Sequence, residues 1–243
     1  MGDNPQTSLD YGKQWEGTWG DLQVYGPQHR HKYRLILEML RTVPFNTLLD
    51  VGCGAGRLLS LIRDSFPGCR LMGVDVSPTA VDRARNSQAG TRFEVLDISR
   101  ERLDEQFDLV MCCDVLEHLE DDQQAIHNLR KMARAFALIT VPRGRMRPSE
   151  RLIGHLRNYQ TSELTARLKE GGFDVLEYVE WGFPFYSPLY RLLQEWTTPA
   201  IGEGIWTWKR RTVAQIVYLL YHFNMRRYGD VLIVLARVAK EDE

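Results

Sequence analysis

One stretch, LLDVGCGAGRLLSL at residues 48–61, constrains this chain more than any other. An apolar strand breaks at three alternating glycines, Gly52, Gly54 and Gly56, and resumes at once with helical periodicity. Such a turn points backbone N–H groups and the positive end of a helix at whatever lies above it, and glycines let a ligand approach the backbone. The spacing then separates the ligands. A dinucleotide fingerprint needs its third glycine at position 57, which is Arg57, and no GK[ST] follows as a phosphate-cradling loop would require. An NAD(P)-dependent oxidoreductase is thereby the disfavoured alternative.

From residue 48 onward, short β-rich runs alternate with helical stretches, the pattern of a doubly wound α/β fold with a mostly parallel sheet and helices on both faces. The strand candidates are TLLDVGC, RLMGVDVS, RFEVLDI, FDLVMCCDV, AFALITVP, FDVLEYVEW and DVLIVLARV. Their near-continuous apolar character suits strands buried on both faces. Helices are predicted over 56–65, 79–87, 122–135 and 162–171; Ser77-Pro78 supplies a start and Gly171-Gly172 a stop. Two segments fall outside the alternation. Residues 1–45, with a helix over about 29–41, read as an N-terminal lid or cap, and 183–229 as a helical insertion before the last strand. Residues 46–182 and 230–240 then form the core of a single domain over 1–243, a length that can bury one sizeable core.

Charge excludes some partners. With 31 Lys and Arg against 32 Asp and Glu, there is no global field to recruit nucleic acid, and no Asn/Asp-Pro-Pro-Tyr type motif follows the fourth strand. The four cysteines, Cys53, Cys69, Cys112 and Cys113, form no CxxC pair and have apolar neighbours, which suits reduced thiols and a cytoplasmic location. The N-terminus lacks the pattern of a signal peptide, and no apolar run is long enough to span a bilayer.

Carboxylates mark the strand ends. Asp50, just before the glycines, is a poor neighbour for a phosphate and a good one for an ammonium group. Asp75 ends the second strand where a carboxylate can accept from both hydroxyls of a ribose. Asp97 and Ile98 end the third, offering an acceptor to an exocyclic amine and an apolar surface to a base. The ligand so described has an amino-acid end, a ribose and an adenine.

With these residues in order, the chain resembles the class I S-adenosylmethionine-dependent methyltransferases, in particular the small-molecule and quinone-type group. LLDVGCGAG, GVDVS, LDI and FDLVMCCDVLEHLED look like their first four motifs. The resemblance implies a seven-stranded sheet with the last strand antiparallel beside the fifth. It places Asp50, Gly52, Gly54 and Gly56 around the methionine part of S-adenosyl-L-methionine, whose product is S-adenosyl-L-homocysteine. It puts Asp75 on the ribose, Asp97 with Ile98 at the adenine, and carries Val76 and Cys113 from the second and fourth motifs to the same cleft. A binding protein that kept the cleft without catalysis is the other alternative.

Methyl transfer is an in-line displacement in which the protein mostly aligns the acceptor and excludes water. An oxygen acceptor usually needs a base, and histidine is the commonest. His118, just past the fourth strand, resembles a catalytic histidine of some O-methyltransferases. His155 opens an HLRNY stretch that resembles one found near the acceptor pocket of quinone and small-molecule methyltransferases, which adds Arg157 and Tyr159 as acceptor candidates. None of the six histidines has metal-ligand spacing such as HxxxH, so no metal is expected. Tyr11, Trp15 and Trp19 suit a lid, Phe185 and its aromatic neighbours a pocket wall, and Arg143, Arg145, Arg147 and Arg151 an anionic acceptor group. The helix over 206–228 is apolar in the middle and basic at both ends, suited to a membrane surface and a lipid-like acceptor, or to a core or homodimer-interface helix whose basic ends snorkel to water.

Overall fold

Apolar runs bounded by turn residues become strands that bury both faces. In the computed structural model, which describes residues 19–192 and 206–240, they are β1 (Thr47–Val51), β2 (Arg70–Asp75), β3 (Arg92–Val95), β4 (Phe107–Cys113), β5 (Ala133–Pro142), β6 (Phe173–Trp181) and β7 (Val231–Val238). They form one sheet in the order β3-β2-β1-β4-β5-β7-β6. The pairs from β3 through β5 are parallel, while β7 runs antiparallel to both β5 and β6. This is the seven-stranded arrangement the resemblance implies.

Side chains alternate across a strand, so each strand feeds two cores. Leu48, Leu71, Leu109, Met111, Leu138, Ile233 and Leu235 share one cluster with α2 (Pro27–Leu40), α3 (Arg57–Ser65) and α4 (Pro78–Ser87). Leu49, Val51, Val74, Val110, Cys112, Ile139, Val141, Leu232 and Val234 share the other with α5 (Asp122–Met132) and α7 (Thr161–Glu170), between which the chain makes the short α6 (Pro148–Leu152).

Local chemistry sets the helix boundaries. Ser77 Oγ accepts from the Ala80 N–H at 3.3 Å with Pro78 in the first turn of α4, Asp121 Oδ1 accepts from Gln124 N–H at 2.9 Å to open α5, and α7 stops at Gly171. Helix 122–135 of the sequence reading ends early. α5 stops at Met132 and the chain enters β5 at Ala133, because Ala133 is already paired with Phe107 of β4 and the ladder outweighs the helical preference of Ala and Arg.

The flanking segments pack on the sheet. α2 buries Tyr33, Leu35, Ile36, Met39 and Leu40 against it. Within the insertion, α8 (Trp208–Leu220) leans on α2 and on the short α1 (Trp19–Tyr25), where Arg30 bonds Gln215 and sits 4.1 Å over the Tyr218 ring. His31 of α2 stacks on Trp181 with ring centroids 4.6 Å apart. Among the described residues no helix is long and apolar enough to cross a membrane. The candidate site lies at the C-terminal ends of β1, β2, β3 and β4 and in the loop that follows β5.

Candidate cofactor and acceptor site

The glycine turn is built for close approach. Gly52, Gly54 and Gly56 all have positive φ, at 76°, 54° and 78°, a region that disfavours side chains. A Cβ on Gly52 would lie 2.2 Å from Val115 Cγ2, so the turn also packs against the loop after β4. Gly54 N–H donates to Asp75 Oδ2 at 2.8 Å and Ser77 N–H to Asp75 Oδ1 at 2.9 Å, which locks this carboxylate between the two turns.

Asp50 is 2% exposed, and its Oδ1 has no hydrogen-bond partner. Burial, and then the Asp75 charge, push its carboxyl up to about 8. A buried carboxyl with an orphaned oxygen wants a cationic donor, and the ammonium of an amino acid supplies one. Asp75 is likewise raised by burial, opposed by the N–H groups of Ser77 and Gly54. Beside it, Val76 is half exposed, offering apolar surface next to a polar anchor. The residues therefore fit an aminoacyl-nucleoside ligand.

The third strand end is more self-contained. Asp97 Oδ1 accepts from the N–H and the hydroxyl of Ser99 at 3.0 and 2.6 Å, and Oδ2 lies 3.4 Å from Arg100. Ile98 is buried in the core, and its carbonyl accepts from Asn128 at 2.8 Å. Cys113 is a half-buried free thiol, pushed up by burial.

The fourth strand ends in a cluster. Asp114, at φ 56°, accepts from Thr140 Oγ1 at 2.8 Å and pairs with the buried Lys32 of α2. Burial opposes its ionisation, but the Lys32 ammonium prevails and holds the carboxyl below its ordinary range. The chain then makes a tight turn over Leu116–His118. Glu117 is buried with neither carboxylate oxygen partnered, and burial, then the Asp114 charge, raise it far above the usual range. The loop after β5 closes on this turn, since Leu156 N–H donates to the Glu117 carbonyl at 2.8 Å and His118 Nδ1 lies 3.1 Å from the Gly154 carbonyl. His155 arrives with that loop, its ring centroid 4.7 Å from that of His118. Burial lowers both imidazoles, His155 to about 4 with help from the His118 charge, so both are neutral at neutral pH.

The structure thus brings together His118 and His155 but occupies other candidates with the fold itself. Tyr159 is buried, its hydroxyl donating to Asp122 Oδ2 at 2.6 Å. Arg157 pairs with Asp122 at 3.1 Å and donates to the Glu120 carbonyl. Arg143 is held by Glu180, Thr161 and the Gly229 carbonyl, and Arg147 pairs with Asp230. Phe185 is half buried against the core cluster that holds Trp181 and Tyr186, its N–H bonded to Asn224 Oδ1. Tyr11 lies outside the described residues, and Trp19 enters only as the first residue of α1. Sequence reasoning missed His29 and Lys32, which approach Asp114 from α2. Their i, i+3 spacing with Tyr33 on one helix face was the available signal.

Comparison with known proteins agrees with this geometry. Residues 49–138, from β1 through most of β5, match the methyltransferase domain family. Malonyl-[acyl-carrier protein] O-methyltransferase of Acetivibrio thermocellus is 36% identical over 66 residues, 26% of this chain but only 23% of that protein's length. Trans-aconitate 2-methyltransferase of Escherichia coli is 23% identical over 84% of this chain and 90% of its own. The N-methyltransferase NodS of Bradyrhizobium japonicum, solved with S-adenosyl-L-homocysteine, superposes with a TM-score of 0.58 at 20% identity, covering 92% of this chain and all of that one. The glycine turn gripped by Asp75 and the buried Asp50 carboxyl lie within the residues that match the methyltransferase domain family, and with the antiparallel last strand they give the chain the fold of the S-adenosylmethionine-dependent methyltransferases.

Proposed function

We propose that the chain transfers a methyl group from S-adenosylmethionine to an oxygen of a small-molecule or lipid-like acceptor. The observation that carries this reading is the neutral His118–His155 pair, held at the end of β4 on the same rim of the sheet as Asp50 and the glycine turn. Bound there, the cofactor supplies an electrophilic methyl carbon on a sulfonium, whose C–S electron pair stays with sulfur as the new bond forms. Asp50 takes the ammonium end, Asp75 the ribose hydroxyls, and Val76 with the Asp97–Ile98 strand end the base. The fold's task on the other side is to bring the acceptor oxygen into line and relieve it of its proton, and His118 and His155 are the groups placed to do so.

The names of the relatives agree in part: malonyl-[acyl-carrier protein] O-methyltransferase supports oxygen as the acceptor atom, and trans-aconitate 2-methyltransferase a small acceptor. The apolar outer face of α8 supports a lipid-like one that is reached at a membrane surface, with a homodimer as its rival occupant. Four free thiols suit a cytoplasmic setting.

The deciding experiment screens phenols, hydroquinones, sugars and carboxylic acids with S-adenosylmethionine, reading products by mass. With an acceptor in hand, His118→Ala is expected to lower kcat by about 10²-fold or more while S-adenosylhomocysteine still binds. Full activity of that variant would remove His118 from the chemistry. Binding of the cofactor without turnover of any acceptor would favour the non-catalytic alternative.

A further inference from the structure

Glu117 poses a problem that its neighbours do not solve. It is 1% exposed, and both carboxylate oxygens lack hydrogen-bond partners. A buried carboxylate left alone is far more costly than a buried hydroxyl, so Glu117 keeps its proton until a cation replaces it. The nearby ammonium of Lys32 is bonded to Asp114. A second buried polar atom, His155 Nδ1, also lacks a partner. One donor atom each from Glu117, His118 and His155 lies within 4.8 Å of the others. Two residues with unpartnered buried atoms, Glu117 and His155, thus converge beside His118.

We propose that Glu117, His118 and His155 bind a divalent first-row transition metal ion, and that this ion holds and activates the acceptor oxygen. Two imidazoles and one carboxylate are the donors of zinc, iron and cobalt sites, whereas magnesium and calcium take oxygen donors. Three protein ligands leave positions open, as in a catalytic rather than a structural site. The Gly154 carbonyl can only accept, so the 3.1 Å contact puts the proton of neutral His118 on Nδ1 and the lone pair on Nε2. A carbonyl that fixes the ring from behind is the usual support of a metal-bound histidine. Donors about 3.4 Å apart suit a tetrahedral ion with bonds of about 2.1 Å, and rotation of the loop-borne His155 side chain closes the remaining gap.

The role of the ion rests on the oxygen-transfer reading; its existence does not. A hydroxyl bound to it gives its proton to solvent, as metal-bound water does near neutrality. The resulting oxyanion forms the C–O bond as the C–S bond breaks, with no change in the metal's oxidation state. His118 then acts as a ligand instead of a base.

The test uses the full chain, stripped with a chelator and titrated with Co²⁺ by visible absorption and with Zn²⁺ by calorimetry. One equivalent should bind. Glu117→Gln and His155→Ala should each weaken it by more than the roughly 10–100-fold that even supporting groups of a metal site command. His155 is partly exposed on a loop, so its variant keeps the test open if Glu117→Gln does not fold. No stoichiometric metal in the parent protein, or binding that neither variant changes, would overturn the site. The same samples are titrated with S-adenosylhomocysteine. Its binding without metal rejects the ion and leaves methyl transfer standing, whereas metal without S-adenosylhomocysteine binding supports the site and counts against the transfer reading.

Discussion

Asp50 couples cofactor affinity to pH. With its carboxyl raised to about 8, the free protein holds a proton there at neutrality, and pairing with an ammonium requires that proton to leave. Affinity for S-adenosylhomocysteine is therefore expected to rise with pH between about 6 and 8, by at most about tenfold per unit, and then level off. The sign for stability is opposite. Between its unfolded and folded values the native state binds the extra proton, so the cofactor-free protein loses stability as pH rises through that window. Calorimetric titration across the range checks the first expectation, and Asp50→Asn should flatten the curve; a flat curve in the parent protein would take Asp50 out of contact with the ligand. Asp75→Ala removes both a ribose partner and the acceptor of two backbone N–H groups, and should weaken binding by about 1–3 kcal/mol. Unchanged affinity would mean the ribose lies elsewhere.

Elements are joined by a few buried polar residues. Asp122, 3% exposed, gathers the Tyr159 hydroxyl, Arg157 and Arg167, and so ties α5 to α7 and to the loop that carries His155. Asp122→Ala should cost about 3 kcal/mol in urea unfolding, near the low end for a broken buried pair because both guanidiniums keep some water. A loss under about 1 kcal/mol would show that the loop is held by other contacts. α8 shows the opposite economy. Ala214 is buried against its neighbours, while Val213, Ile216, Leu219, Leu220 and the following Phe223 and Met225 face outward, with Lys209 and Arg227 near the two ends. This face is expected to carry the protein into the floating fraction with anionic vesicles, and Ile216→Glu to abolish it. Absence from the lipid fraction combined with a dimer mass in sedimentation would assign the face to a second copy.

At the scale of the whole molecule, what could be read from the sequence was what depends on near neighbours. Alternating apolar runs, the Ser77-Pro78 start and carboxylates at strand ends each carry their reason within a few residues. The antiparallel final strand came through family resemblance, because period and composition do not encode strand direction. Tertiary placement hid the rest. Glu117 and His155 reach each other only because one loop closes on another, and a search for short histidine spacings passes over such a pair. Arg143 and Tyr159 read as ligand contacts because no local signal shows that Glu180 and Asp122 will claim them.

The late position of β7 also imposes an order on assembly. Among the described strands β6 pairs only with β7, and β7 is its bridge to β5, yet synthesis delivers β6 well before β7. A nascent chain can thus close the parallel half from β1 to β5, glycine turn included, while β6 waits as an unpaired edge exposed to other chains. Cofactor present in the cell could stabilise that half early by mass action, shortening the time during which the incomplete sheet is open to wrong partners.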